Sequence, residues 1–257
     1  MDLFGRLRPL TIQLGIVALT AVDKILVRYS LLGDPARFDT AELPWVAELE
    51  RNWRTIRDEA EEILRNADLV PPLRRLSDDH HKIAIDDKWR SFFLWGYGVR
   101  VDPNCSRCPR TAALVEQIPG MQTALFSILT PGTHIPLHNG ATKAILTGHL
   151  GLRVPQQRER CHITVDGQDY SWTEGEVFVF DDMRMHEAWN DTDEPRVVLM
   201  MHVARPQRFP GTLVRNGVIA LMRKSPYVKD ANTQILRWPG RSLAEPAVDQ
   251  IGATPTE

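Results

Sequence analysis

From Met121 to Val203 the chain is cut into short apolar or alternating segments, each closed by a turn signal, and this punctuation restricts the fold more than any other feature. Strands are expected over Gln122–Leu129, Ala144–Arg153, His162–Val165, Gln168–Trp172, Glu176–Phe180 and Arg196–Val203. Pro131-Gly132, Asn139-Gly140, Asp166-Gly167 and Glu174-Gly175 fall between them. Asp166-Gly167 is the strongest hairpin signal, because the favoured two-residue turn needs positive φ at both central positions. Many short strands at this spacing imply a mainly β chain closed as a jelly roll or related barrel.

Apolar residues recurring every three or four positions between Pro44 and Arg65 (Val46, Leu49, Trp53, Ile56, Ala60, Ile63) predict one amphipathic helix covering a sheet. A second helix is expected over Thr111–Ile118, stopped by Pro119-Gly120, and a third over Val214–Met222. The tail from Gly240 is polar, proline-bearing and expected to fray. A chain of 257 residues suits one barrel with helical flanks. The expected organisation is an apolar, basic-flanked helical segment at 1–40, the barrel with its covering helices at 41–210 and a partly helical extension at 211–257.

Between Arg8 and Asp23 no charge occurs. The run is shorter than the roughly 20 apolar residues of a membrane span, and Gln13 and Gly15 interrupt it. Its cleavage pattern is poor for a signal peptide. Two readings stay open: a helix at a membrane surface, giving peripheral contact through residues 1–30, and a helix packed on the barrel. Arg205, Arg208, Arg215, Arg223 and Lys224 form a loose basic set that suits either anionic lipid or a solvated helix face.

Thirty-one basic against 33 acidic residues leave a formal net charge of −2, without the footprint of a general nucleic-acid binder. Three cysteines, Cys105, Cys108 and Cys161, suit a reducing, cytoplasmic setting better than a disulfide framework. Cys105 and Cys108 form a C-x-x-C pair, but no second pair completes a zinc site, so a structural loop before the helix is expected.

His138 and His186 stand 48 positions apart at opposite ends of the β-patterned run, and Arg196 follows ten residues after the second. In a small barrel such a separation brings strand ends side by side, where two imidazoles can share a metal. With one buried cation they make a minimal set for holding iron(II) and a dicarboxylate.

The stretches FSILTPGTHIPLHNG (126–140), TGHLGLRVP (147–155), WTEGEVFVFDDMRMHEAWN (172–190) and EPRVVLMMHVARP (194–206) resemble, in order and spacing, the aspartyl/asparaginyl β-hydroxylase family. The resemblance runs from about Pro109 to Pro206. It implies a double-stranded β-helix, the cupin-like jelly roll, with flanking N-terminal helices. It also implies an Fe(II)/2-oxoglutarate-dependent dioxygenase that uses O2 and hydroxylates an unactivated C–H bond. On that resemblance His138 and His186 are the iron ligands, Arg196 pairs with the distal carboxylate of 2-oxoglutarate, and Ser127 and His149 complete the co-substrate pocket. Trp189 is expected in the pocket wall.

Most oxygenases of this kind add a carboxylate two residues after the first histidine. Gly140 stands there, as in the hydroxylases this chain resembles, where a water takes the vacant position. Halogenases of the wider superfamily carry glycine there as well, which leaves halogenation as a minor alternative. Asp181 and Asp182 are expected to face solvent and shape their loop. His202 shares strand parity with Arg196, and a supporting role near the metal is open to it; His134 reads as structural. Relatives carry an arginine two residues before the histidine of H-L-G-L, whereas this chain has Thr147. Lys143, on the same strand face, is the one substitute cation, but the commoner state of such a lysine is solvent exposure. The leading expectation is an aspartyl or asparaginyl group of a peptide, protein or small molecule as substrate. The alternatives are the acyl chain of a membrane lipid and a barrel that binds ligand without turnover.

Overall fold

The computed structural model describes residues 21–66, 69–76 and 78–238. Most of the uncharged N-terminal run and the tail from Gly240 lie outside them. Helical residues 21–28 form α1, and the covering helices are α2 (Pro44–Arg51) and α3 (Trp53–Leu64). The single helix expected there is two, because Asn52 turns its own side chain onto Glu48: Asn52 Nδ2 donates to the Glu48 carbonyl and to its carboxylate, both at 2.8 Å. Asparagine competes with the backbone in this way and favours helix ends.

Strand β1 (Trp89–Gly96) and the short β2 (Val99–Arg100) precede α4 (Asp102–Cys105) and α5 (Pro109–Glu116). Then come β3 (Met121–Leu129), β4 (Thr133–His138), β5 (Ile145–Arg153), β6 (Cys161–Val165), β7 (Gln168–Tyr170), β8 (Val177–Phe180), β9 (His186–Asn190) and β10 (Arg196–Ala204). Helices α6 (Gly211–Lys224) and α7 (Pro226–Arg237) follow. Asp166 and Gly167 both have positive φ, 53° and 77°, so the β6–β7 hairpin turns as its sequence requires.

Two antiparallel sheets result, ordered β2-β1-β3-β10-β5-β8 and β4-β9-β6-β7. Strands β3 to β10 pair inward from their ends, β3 with β10 and β4 with β9, as one long hairpin folded over on itself. That is the double-stranded β-helix. Alternation along β3, β5 and β10 sends Ala124, Phe126, Leu146, Leu150, Leu199 and Met201 outward under α2, α3 and α5, where Val46, Leu49, Ile56 and Ile63 meet them. Each fully buried aliphatic side chain contributes roughly 1.5–3 kcal/mol over its exposed state. The opposite face of the same strands closes on the smaller sheet, with Leu125, Leu129, Ile135, Ile163, Phe178 and Val198 in the layer between. Helix α1 packs on α6 through Leu26 and Ile219, with Val22, Val214, Val218 and Met222 around them.

Cys105 and Cys108 are buried beside this helical layer, and Cys105 Sγ donates to the Leu94 carbonyl at 3.3 Å. Burial pushes their thiols up to about 11 and about 12, so both stay protonated at neutral pH.

Candidate active site

Between the two sheets lies a cavity of about 680 Å³. The parity that buries one face of β3, β5 and β10 in the helical layer aims Ser127, Thr147, His149, Arg196 and His202 into it. At its mouth His138 ends β4 and His186 begins β9, and the two are register partners. Their rings lie 4.1 Å apart between centroids. Each Nδ1 lies 2.8 Å from a backbone carbonyl two residues earlier, Pro136 for His138 and Arg184 for His186. A carbonyl only accepts, so each Nδ1 carries the proton and each Nε2 keeps its lone pair for a metal. Burial, followed by the neighbouring His186, lowers the His138 pKa and favours the neutral, ligating form.

No group of three histidine, cysteine or carboxylate side chains converges on one point among the described residues. Gly140 explains this. A Cβ built on Gly140 would fall 1.7 Å from Asp182 Oδ2, so Asp182 fills the space that a side chain at position 140 would need. Its Oδ1 lies 3.6 Å from His186 Nε2, and its carbonyl accepts the Gly140 N–H at 2.7 Å.

Deeper in, Arg196 is 2% exposed. Its Nη1 donates to the Ser127 carbonyl at 3.3 Å, its guanidinium lies 4.4 Å from the Trp172 ring centroid, and its Nε has no partner. Among the described residues no carboxylate pairs with it. Burial lowers its pKa to about 10, a direct expression of an uncompensated interior charge. His149 lies nearby. Trp172 Nε1–H donates to His149 Nδ1 at 3.0 Å, and since an indole only donates, the imidazole proton sits on Nε2. That Nε2–H is buried without a partner. Burial, then the Arg196 charge, holds the His149 pKa well below the ordinary value, so the ring is neutral. Ser127 Oγ accepts from Trp89 Nε1 at 3.0 Å and keeps its own proton to donate. Unsatisfied donors from Arg196 and His149 around one pocket fit an anionic ligand such as a carboxylate.

The pair of imidazoles, Arg196, His149 and Ser127 therefore share one cavity, and His202 lines it too, its pKa lowered by burial. Three expectations require correction. Trp189 is no pocket wall: His186, Ala188 and Asn190 point inward, so Trp189 faces outward, stacked between His134 and His162 at 4.8 and 4.9 Å. Neither acid of the Asp181-Asp182 pair faces solvent: Asp181 is wholly buried, bonded to Lys143 at 2.6 Å and Arg205 at 3.3 Å, with the Met183 N–H at 3.0 Å, and Asp182 turns onto the cavity beside His186. Lys143 is neither an exposed loop lysine nor a substrate cation, since Asp181 and Asp34, at 2.7 Å, hold it half-buried. Arg184 joins this network by donating to Asp34, while its carbonyl orients His186. The network thus anchors the loop that carries Asp182 and His186. Trp172, which sets the His149 tautomer, went unassigned in the sequence.

The barrel and its contents define a jelly-roll protein with a paired-imidazole mouth above a buried cation. The family model for aspartyl/asparaginyl beta-hydroxylase matches residues 50–206, and the chain belongs to that family. It is 39% identical over 223 residues to the ornithine lipid ester-linked acyl 2-hydroxylase of Rhizobium tropici, covering 87% of this chain and 79% of that protein. It is 34% identical over 177 residues to the human aspartyl/asparaginyl beta-hydroxylase, covering 67% of this chain and 22% of the longer human protein. Among solved structures, a Pseudomonas putida prolyl-4-hydroxylase matches 60% of this chain and 87% of its own, at a TM-score of 0.39 and 17% identity.

Proposed function

We propose that the protein is an Fe(II)/2-oxoglutarate-dependent dioxygenase that hydroxylates an unactivated C–H bond in the acyl chain of a membrane lipid. The observation that carries the chemistry is Arg196, a buried guanidinium with no acid on it among the described residues, in the same cavity as two imidazoles whose Nε2 atoms carry the lone pairs a metal needs. His138 and His186 would hold the iron. Bound iron, 2-oxoglutarate and O2 would together supply the oxidising power, one oxygen atom entering the substrate and the other the succinate formed with carbon dioxide. Arg196 takes the distal carboxylate of the keto acid, His149 Nε2–H and the Ser127 hydroxyl donate to the same ligand, and Trp172 holds the His149 ring and the Arg196 guanidinium in place. Burial between two sheets keeps this end of the cavity dry.

Two observations favour an acyl chain as substrate. The Rhizobium tropici relative, named for a lipid acyl chain, matches nearly the whole length of this chain. Among the described residues the inner walls also offer little to an acidic substrate: Thr147 stands at the place of the expected arginine, Lys143 is held by Asp34 and Asp181, and Ile83, Ile135, Ile145, Ile163, Met200 and Met222 line the cavity, which leaves Lys82 at its rim. The aspartyl or asparaginyl reading rests on the human relative, and Lys82 at the exposed rim is the group it would use.

Purified protein given iron(II) and 2-oxoglutarate without oxygen should develop the visible charge-transfer band of a bidentate keto acid. His138→Ala and His186→Ala should abolish it. Arg196→Leu should weaken 2-oxoglutarate at least about thirtyfold, since truncating one partner of a buried charge pair costs about 2 kcal/mol or more. No band in the unaltered protein would end this assignment. Lipid mass spectrometry of a deletion strain then separates the substrates: a lipid species lacking one oxygen supports the acyl chain, and an unchanged lipid profile excludes it.

A further inference from the structure

Residues 206–224 contain four basic side chains, Arg208, Arg215, Arg223 and Lys224, and residues 24–33 contain two, Lys24 and Arg28; neither stretch has an acid. The whole chain carries a net charge of −2, so this concentration of positive charge is local. The two stretches adjoin in space. Arg208 N–H donates to the Tyr29 carbonyl at 2.9 Å, Leu31 N–H to Pro206 at 3.1 Å, and α1 packs along α6.

Helix α6 is apolar on the opposite side as well. Val214, Val218, Ile219 and Met222 face the barrel and α1. Leu213 and Leu221, two turns apart with Gly217 between them, stand 62% and 73% exposed, and Phe209 just before the helix is 75% exposed. An exposed apolar stripe bordered by bases complements a bilayer surface that carries anionic lipid, and the one acid of α1, Asp23, is half-buried and accepts the Lys143 N–H at 3.4 Å. Its position bears on catalysis. Met222, Ser225 and Tyr227 line the cavity, so the segment that presents Leu221 and Lys224 outward also forms one wall of the pocket.

We infer that Phe209, the outer face of α6 and the basic residues of α1 form a docking surface for an anionic membrane, which places the cavity against the layer that holds its acyl-chain substrate. This rests on the lipid reading given above. Electrostatic attraction of about 1 kcal/mol per basic residue corresponds to about fivefold in partitioning for each charge.

The test is sedimentation of the full chain with vesicles of phosphatidylcholine alone and of phosphatidylcholine with phosphatidylglycerol, at low and high salt. Binding should require phosphatidylglycerol and weaken with salt. Leu213→Glu/Leu221→Glu should lower it about tenfold or more. Lys24→Glu/Lys224→Glu, which leaves the apolar stripe intact, should lower it at least about twentyfold, about fivefold for each of two charges removed. The ferrous 2-oxoglutarate band, read on every variant, reports fold and site independently, and should persist in both. Equal binding to both vesicle types, or undiminished binding by both double variants, overturns the docking surface while a persisting band keeps the hydroxylase. A wild-type dimer that Leu213→Glu/Leu221→Glu converts to monomer, with no vesicle binding by either, assigns the stripe to a second copy of the chain and also overturns it. Vesicle binding by a wild-type protein without the band would sink the hydroxylase and leave the surface standing.

Discussion

Replacing Asp181 by Asn removes one negative charge from the centre of a buried network and leaves its geometry nearly unchanged. Asp181 is 0% exposed, and its Oδ2 meets Lys143 Nζ at 2.6 Å and Arg205 Nη1 at 3.3 Å. Breaking a buried pair by neutralising one partner costs about 3–5 kcal/mol, because the surviving charge stays buried. The lower end applies here, since Asp34 still lies 2.7 Å from Lys143 and 3.3 Å from Arg205. About 3 kcal/mol corresponds to a fall in Tm of about 6–12 °C for a chain of this size. Urea and thermal unfolding of the metal-free protein read it, with Asp166→Asn as the comparison. Asp166 pairs with Arg184 at 3.4 Å while half exposed, a surface ion pair worth about 1 kcal/mol or less. Asp181→Asn and Lys143→Met should also couple by at least about 1 kcal/mol in a double-mutant cycle. If Asp181→Asn behaves like Asp166→Asn, the network does not anchor the loop that carries Asp182 and His186 and the reasoning fails.

Trp172→Phe removes the donor that fixes the His149 tautomer and one hydrogen bond beside Arg196, so under the proposed function 2-oxoglutarate affinity should fall about tenfold with the iron-dependent band retained; a titration of that band showing unchanged affinity would contradict the assigned tautomer. His138, His149 and His202 all have pKa values lowered by burial from an ordinary 6.5. The unfolded chain therefore binds protons first as pH falls. Stability of the metal-free protein should be fully present above about pH 6.5 and should decline below it, by up to about 1.4 kcal/mol per pH unit for each histidine, and a urea midpoint equal at pH 7.5 and 5.5 would refute this.

Strands β3, β5 and β10 begin and end within one residue of their sequence-read bounds, because their segments are long and end in glycine or proline turns. Strand β1 carries no such signature, for the opposite reason. Trp89–Gly96 is buried along nearly its whole length on both faces, so it shows no alternation and no period to read. Strands β4 and β9 are short and carry polar residues, Thr133, His138, His186 and Asn190, among those turned inward, so neither shows an apolar period to read. The same parity rule that aims Arg196 and His149 into the cavity would have turned Trp189 outward had β9 been recognised. The burial of Lys143 and Asp181 is not legible in the sequence, because their partners, Asp34 and Arg205, are distant along the chain and a charged residue alone does not announce a buried match. Helix α7, beginning Ser225-Pro226 with the Ser225 hydroxyl accepting the Val228 N–H, carries an ordinary start signal that the irregular apolar pattern after it obscured.

Arg196 has a consequence for the life of the protein in the cell. A barrel that encloses a positive charge without its counterpart is less stable empty than filled, and an anion that binds only the folded chain at a hundred times its dissociation constant adds about 2.7 kcal/mol. Proteases that act on the unfolded chain would therefore clear the empty protein faster than the filled one.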